Sequence, residues 1–187
     1  MKRILTIIVI AAVCTFTLAA QQAPDPAGVI INHYAARAFV TGAIPKADLD
    51  LILQAGVRAP SARNLQPWHF TVVQNIDLAK KIIPQTMDGN VLIVISAAGD
   101  SKTNYVEIID CSLATQSIYL KAQALGYGSR IYTAPIDNLN NNYKKDLGLP
   151  SGYSAVAVVR VGKIDTGTDA VSAASARKAA STMINYK

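Results

Sequence analysis

Ala59-Pro60-Ser61-Ala62-Arg63-Asn64-Leu65-Gln66-Pro67-Trp68-His69-Phe70 joins a helix-periodic segment to a strand-like one and holds the only Trp of the chain. It is dense in hydrogen-bonding side chains. Its prolines restrict the backbone, so Ser61, Asn64 and Gln66 are held at low entropic cost. Two roles fit such a loop. It could cap the ends of its neighbours with Trp68 in the core, or it could bind a ligand from a rigid scaffold.

On the N-terminal side, Leu49, Ile52, Leu53 and Val57 recur at helical spacing, with Pro45 placed for the first turn. That helix must end by Arg58 or Ala59, because Pro60 follows. A short packing helix is expected earlier, over residues 27–34. On the C-terminal side, residues 69–73 read as a strand and residues 77–83 as a short helix closed by Pro84. Val91-Leu92-Ile93-Val94-Ile95 is a continuous apolar run with polar bounds, which indicates a central strand covered on both faces. Residues 104–125 form the longest expected helix, apolar nearly all round, with Gly126 as its C-terminal cap. Such a helix must be covered nearly all round, and in a domain this small another subunit could supply part of that cover. A further helix is expected over residues 137–147, a strand over residues 155–161, and a weakly periodic tail from residue 172. Helices and strands alternate, which gives a mixed α/β sandwich in one domain over residues 21–187.

The chain opens differently. Lys2 and Arg3 precede an uncharged apolar stretch that exits through Leu18-Ala19-Ala20, the pattern of a secretory signal peptide over residues 1–20. The expectation is therefore an exported protein, periplasmic or secreted, with no stable membrane span after cleavage. An uncleaved anchor is the less favoured alternative, since residues 4–20 sit at the lower limit for crossing a bilayer. Removing 20 of the 187 residues leaves 167, with 16 Lys and Arg against 12 Asp and Glu. No basic run exceeds Lys144-Lys145 or Arg177-Lys178, so no nucleic-acid face is expected. The hydrophobic content of 51% argues against a disordered chain. After cleavage Cys111 is the one thiol left of two cysteines, too few for an internal disulfide.

Several catalytic templates fail. There is no Gly-x-Ser-x-Gly elbow, His-Glu-x-x-His motif, Cys-x-x-Cys pair or P-loop. Two histidines, His33 and His69, cannot build a histidine-rich metal site. Gly126-Tyr127-Gly128 lacks the third glycine of a dinucleotide fingerprint and follows a helix rather than a strand. What remains is chemistry carried by a cofactor, which the protein binds and orients.

The loop quoted above resembles the hallmark of the flavin-dependent nitroreductase family, A-P-S-x-x-N-x-Q-P-W-x-F. Further pieces are similar in order: Asp110 and Gln116 in a long apolar helix, then Leu125-Gly126-Tyr127-Gly128-Ser129, then Leu147-Gly148-Leu149-Pro150-Ser151-Gly152-Tyr153, and a basic tail from Arg177-Lys178 to Tyr186. The resemblance spans about residues 30–187. It implies an α+β fold, a three-layer α/β sandwich with a mixed central sheet, forming a homodimer with shared flavin sites. It implies FMN as cofactor, NAD(P)H as reductant, and a small-molecule acceptor such as a nitroaromatic or quinone.

By position in that pattern, Ser61, Asn64 and Gln66 would line the flavin. Thr133 and Ala134 would set backbone amides against the reactive flavin nitrogen. Arg37 would stand near the pyrimidine edge and Arg177 at the phosphate. The family's phosphate signature resembles R-R-S-x-R, whereas this chain has His33-Tyr34-Ala35-Ala36-Arg37. His33 and Ala35 thus stand in place of two phosphate donors, and the region between Phe70 and Asn104 lacks the longer helical insertion of many relatives, so a more open or weaker flavin site follows. A non-catalytic, exported flavin- or ligand-binding module derived from the family is the alternative.

Overall fold

The structure is a computed structural model, described here over residues 26–100, 105–168 and 177–187. The expected export signal at residues 1–20 lies outside these residues. The elements run α1 (Pro26–Asn32), α2 (Lys46–Val57), β1 (Trp68–Val73), α3 (Ile76–Ile82), β2 (Val91–Ala98), α4 (Tyr105–Ala124), β3 (Gly128–Tyr132), α5 (Ile136–Asn142) and β4 (Tyr153–Gly162). Short 3-10 turns occupy Ala62–Asn64 and Ala180–Thr182.

The strands form one sheet in the order β1-β2-β4-β3. Residues 91–97 of β2 are all buried, because the strand is covered on both faces. One face carries Val91, Ile93, Ile95 and Ala97 with Val159 and Val161, packed against Leu49 and Ile52 of α2 and Cys111, Ile118 and Ala122 of α4. The opposite face carries Leu92, Val94 and Val158, packed against Ala79 and Ile82 of α3 and Ile136 and Leu139 of α5. These are the three layers of an α+β sandwich.

The expected mixed sheet is corrected. Every ladder among the described residues is antiparallel. The reason is topological. The α4 crossover joins β2 to β3, which run the same way but lie two places apart, and β4 returns antiparallel between them. A reading of alternating helices and strands sees the crossover but not the strand that later fills the gap.

Strand β3 escapes pattern reading altogether. Gly128-Ser129-Arg130 carries no apolar alternation, and its pairing is with β4 alone. Gly128 is required there: a Cβ would meet Ile164 Cγ2 at 2.0 Å and Ala36 Cβ at 2.9 Å. The expected helix over residues 137–147 is shorter, ending at Asn142. Asn140 instead pairs with the Ala155 backbone, donating from Nδ2 at 3.1 Å and accepting at Oδ1 at 2.7 Å. In β4, Ile95 faces Ala157 while Ser96 faces Ala155, so Val156 is the extra residue of a bulge.

At one end of the sheet the Arg160 guanidinium lies buried 4.0 Å from the Phe39 ring centre. It donates to Asn90 Oδ1 from Nε at 3.0 Å and from an Nη at 2.7 Å. Asn90 in turn donates to the Val40 carbonyl, tying the segment before α2 to the sheet.

Candidate active site

The loop between α2 and β1 departs from ordinary backbone. Arg63, Asn64 and Gln66 have φ of 52°, 57° and 48°, and no other non-glycine residue among those described has positive φ. For an L-residue the left-handed region costs roughly 1–2 kcal/mol. Three such residues among four need restraint from their surroundings.

Asp110 supplies it from behind. This carboxylate is buried on α4 and accepts the Ala62 amide at 3.0 and 3.2 Å. Within the loop, the Asn64 amide donates to the Ser61 carbonyl at 3.0 Å and the Leu65 amide to the Ala62 carbonyl at 3.1 Å. The Gln66 amide donates to Ser61 Oγ at 3.0 Å, and Gln66 Nε2 donates to Asn64 Oδ1 at 3.2 Å. Ser61, Asn64 and Gln66 are thus one connected unit, with Asn64 and Gln66 exposed. Trp68 stacks on Phe70 with ring centres 6.4 Å apart, at the margin of the α2–α4 core.

A second group forms farther along α4. His33 meets the edge of the Tyr119 ring at 5.5 Å. Its Nδ1 lies 2.6 Å from the Ile30 carbonyl, which can only accept, so Nδ1 carries a proton. Burial raises the Tyr119 phenol pKa, opposed by a hydrogen bond from Gln123 and by the charge of Arg177. His33 thus packs on this ring, and the charge of Arg177 is felt at its phenol. Gln123 fastens this segment, donating to the Tyr34 carbonyl at 2.8 Å and to Ser129 Oγ at 3.0 Å. The Ala36 amide donates to the Ser129 carbonyl at 3.0 Å, and exposed Arg37 follows directly.

Thr133 and Ala134 lie exposed in the turn between β3 and α5. They leave β3 toward the sheet end from which the loop enters β1, since Trp68 is level with Ala97 and Ala97 with Ser154. The loop and this turn sit on opposite sheet edges, three strand spacings or roughly 14 Å apart. Asp110 and Tyr119 are nine residues apart on α4, about 13 Å along its axis. One chain therefore gathers Ser61, Asn64 and Gln66 in one loop and sets His33 against Tyr119, but does not bring these and the Thr133–Ala134 turn together.

Sequence reasoning assigned no role to Asp110, Arg63, Tyr119 or Gln123. For Asp110 a signal existed: a carboxylate on the same helical face as Ala114 and Ile118 must be buried and needs a donor. Cys111, beside it, is no nucleophile. Burial, with the charges of Asp110 and Glu107, pushes its thiol up to about 12. No group of three metal-ligating side chains occurs among the described residues. No described helix is long and apolar enough to cross a membrane.

Comparison with known proteins places this geometry in context. The sequence profile of the nitroreductase family matches residues 30–90 and 84–163. A protein of Archaeoglobus fulgidus whose name reads NADH dehydrogenase/NAD(P)H nitroreductase is 33% identical over 143 residues, covering 72% of this chain and 82% of its own. An FMN-dependent nitroreductase structure from Clostridium difficile is 28% identical, with TM-score 0.63 over 74% of this chain and 87% of its own. A nitroreductase with bound FMN from Desulfitobacterium hafniense shares the fold at TM-score 0.71 and 22% identity, over 87% of this chain and 97% of its own.

Proposed function

The chain belongs to the nitroreductase family, and from that premise we propose an exported FMN oxidoreductase acting as a homodimer. It takes hydride from NAD(P)H or another reductant and delivers it to a nitroaromatic, quinone or similar acceptor. The observation that carries this reading is the loop of Ser61, Asn64 and Gln66, strained, exposed and clasped by buried Asp110. Strain of this kind persists where the surroundings over-determine it, and it clusters at binding sites.

The residues present suit FMN. Neutral donors and acceptors at Ser61, Asn64 and Gln66 match an uncharged ring system with polar edges. Cationic groups at Arg37 and Arg177, with His33, match a phosphate. Bound FMN supplies the hydride chemistry; this chain's part is to hold and orient it. Thr133 and Ala134 would offer backbone amides, fixed dipoles that need no reorganisation during transfer. The separation of these groups within one chain favours sites completed by a second copy.

One observation favours the non-catalytic module instead. With Nδ1 committed to the Ile30 carbonyl, a neutral His33 ring has only an acceptor left at Nε2, which a phosphate cannot use.

Purified mature protein separates the readings. A yellow protein, starting near Gln21 by mass spectrometry, should bleach with NADPH or NADH under argon and recover its absorbance with a nitroaromatic or quinone. A yellow protein that no acceptor reoxidises after dithionite reduction supports the module. A colourless protein that cannot be loaded with FMN overturns both flavin readings.

A further inference from the structure

Arg63 has no part in the roles given so far, yet it holds the most constrained place in the loop. Its φ is 52° and ψ 21°. The residue before it is fixed by the buried Asp110 carboxylate, and the two after it donate back to Ser61 and Ala62. The backbone at Arg63 therefore cannot relax to an ordinary conformation without breaking one of these bonds. Glycine or asparagine would occupy a left-handed position at lower cost. The side chain is exposed, and no carboxylate among the described residues pairs with it. A strained position thus carries a guanidinium that no described carboxylate neutralises, between Ser61 and Asn64.

We infer that Arg63 is a specificity-determining residue that selects anionic acceptors, those bearing a carboxylate or a similar oxyanion beside the reducible group. This rests on the proposed flavin role of the loop. A guanidinium at a fixed backbone position offers a paired set of N–H donors matching a carboxylate edge. The reaction itself is unchanged: a nitroarene accepts one hydride from the reduced cofactor and one proton from solvent, giving the nitroso compound and water. The anionic substituent takes no part in bond making.

The test is the oxidative half-reaction, which needs no knowledge of the natural reductant. FMN-loaded wild-type, Arg63→Gln and Arg63→Lys proteins are reduced with dithionite. Each is then mixed with 4-nitrobenzoate or 4-nitrobenzamide, and flavin reoxidation is followed by stopped flow. The ratio of second-order rate constants, benzoate over benzamide, should fall about fivefold in Arg63→Gln, the effect of an exposed ion pair. Arg63→Lys, which keeps the charge but not the paired donors, should fall between wild type and Arg63→Gln. The wild-type ratio should also shrink in 0.5 M KCl, whereas that of Arg63→Gln should not. A ratio unchanged by Arg63→Gln overturns the inference, even with both acceptors active. If neither acceptor reoxidises the wild-type protein the inference fails, and the oxidoreductase reading fails with it only where a quinone does not reoxidise the flavin either.

Discussion

At the scale of single residues, the loop's side chains separate binding from folding. Asn64 and Gln66 are exposed and bond chiefly to each other, at 3.2 Å. Removing one solvent-exposed hydrogen bond costs at most about 1 kcal/mol of stability. Asn64→Gly, which keeps the left-handed backbone at φ 57° unstrained, and Gln66→Ala should therefore raise the FMN dissociation constant about tenfold while barely moving the melting temperature of flavin-free protein. The reverse pattern, retained flavin on a weakened apo fold, would make the loop a capping device. Cys111 gives a second residue-scale prediction. In the unfolded chain its thiol ionises at its ordinary value of 9.0, in the fold only at about 12. The native state thus holds the proton where the unfolded state has lost it, and this contribution to stability falls as pH rises from about 9 to about 12. At pH 8 the thiol should resist Ellman's reagent in native protein and react fully in urea. Rapid native labelling would contradict the buried placement.

At the scale of elements, α4 is the spine of the site. Its first half carries Asp110 under the loop, and its second half carries Tyr119 and Gln123 under His33 and Tyr34. The interaction of Ala62 with Asp110 is a bond to a buried carboxylate, of the class worth roughly 1.5–3 kcal/mol. Asp110→Ala should cost about 2 kcal/mol in urea unfolding and release FMN, because the left-handed residues lose their restraint. Asp110→Asn keeps an acceptor for the Ala62 amide and should lose markedly less of both. Equal damage from the two substitutions would show that the charge, not the clasp, matters. The helix itself was legible from its apolar residues and the glycine that follows. Its partner across the sheet was not: β3 owes its strand conformation to β4 and to the close approach at Gly128, and neither leaves a periodic trace in five residues.

At the scale of the whole molecule, α4 also presents Val106, Ile109 and Leu113 to solvent, 42%, 42% and 41% exposed, on one helical face. Contiguous apolar side chains of this kind mark interaction surfaces, and the site groups are divided in a way that a second copy would complete. The protein should sediment as a dimer whose melting temperature rises with concentration. The double variant Ile109→Lys, Leu113→Lys should sediment as a monomer with most of its FMN lost. A wild-type monomer with full FMN would overturn the dimeric site. The sequence by itself determined which segments are helices, the buried central strand and the polar loop before Trp68. Periodicity, proline placement and continuous apolar runs act over a few neighbouring residues and can be read there. The folded chain alone settles that every described strand pairs antiparallel, that Asp110 clamps Ala62, and that Arg63, Asn64 and Gln66 are held left-handed. Each of these depends on groups far apart in the chain: β4 enters the sheet about sixty residues after β2, and Asp110 lies 48 residues beyond Ala62. Long-range pairing sets strand direction and backbone strain, and no local pattern encodes a partner that distant.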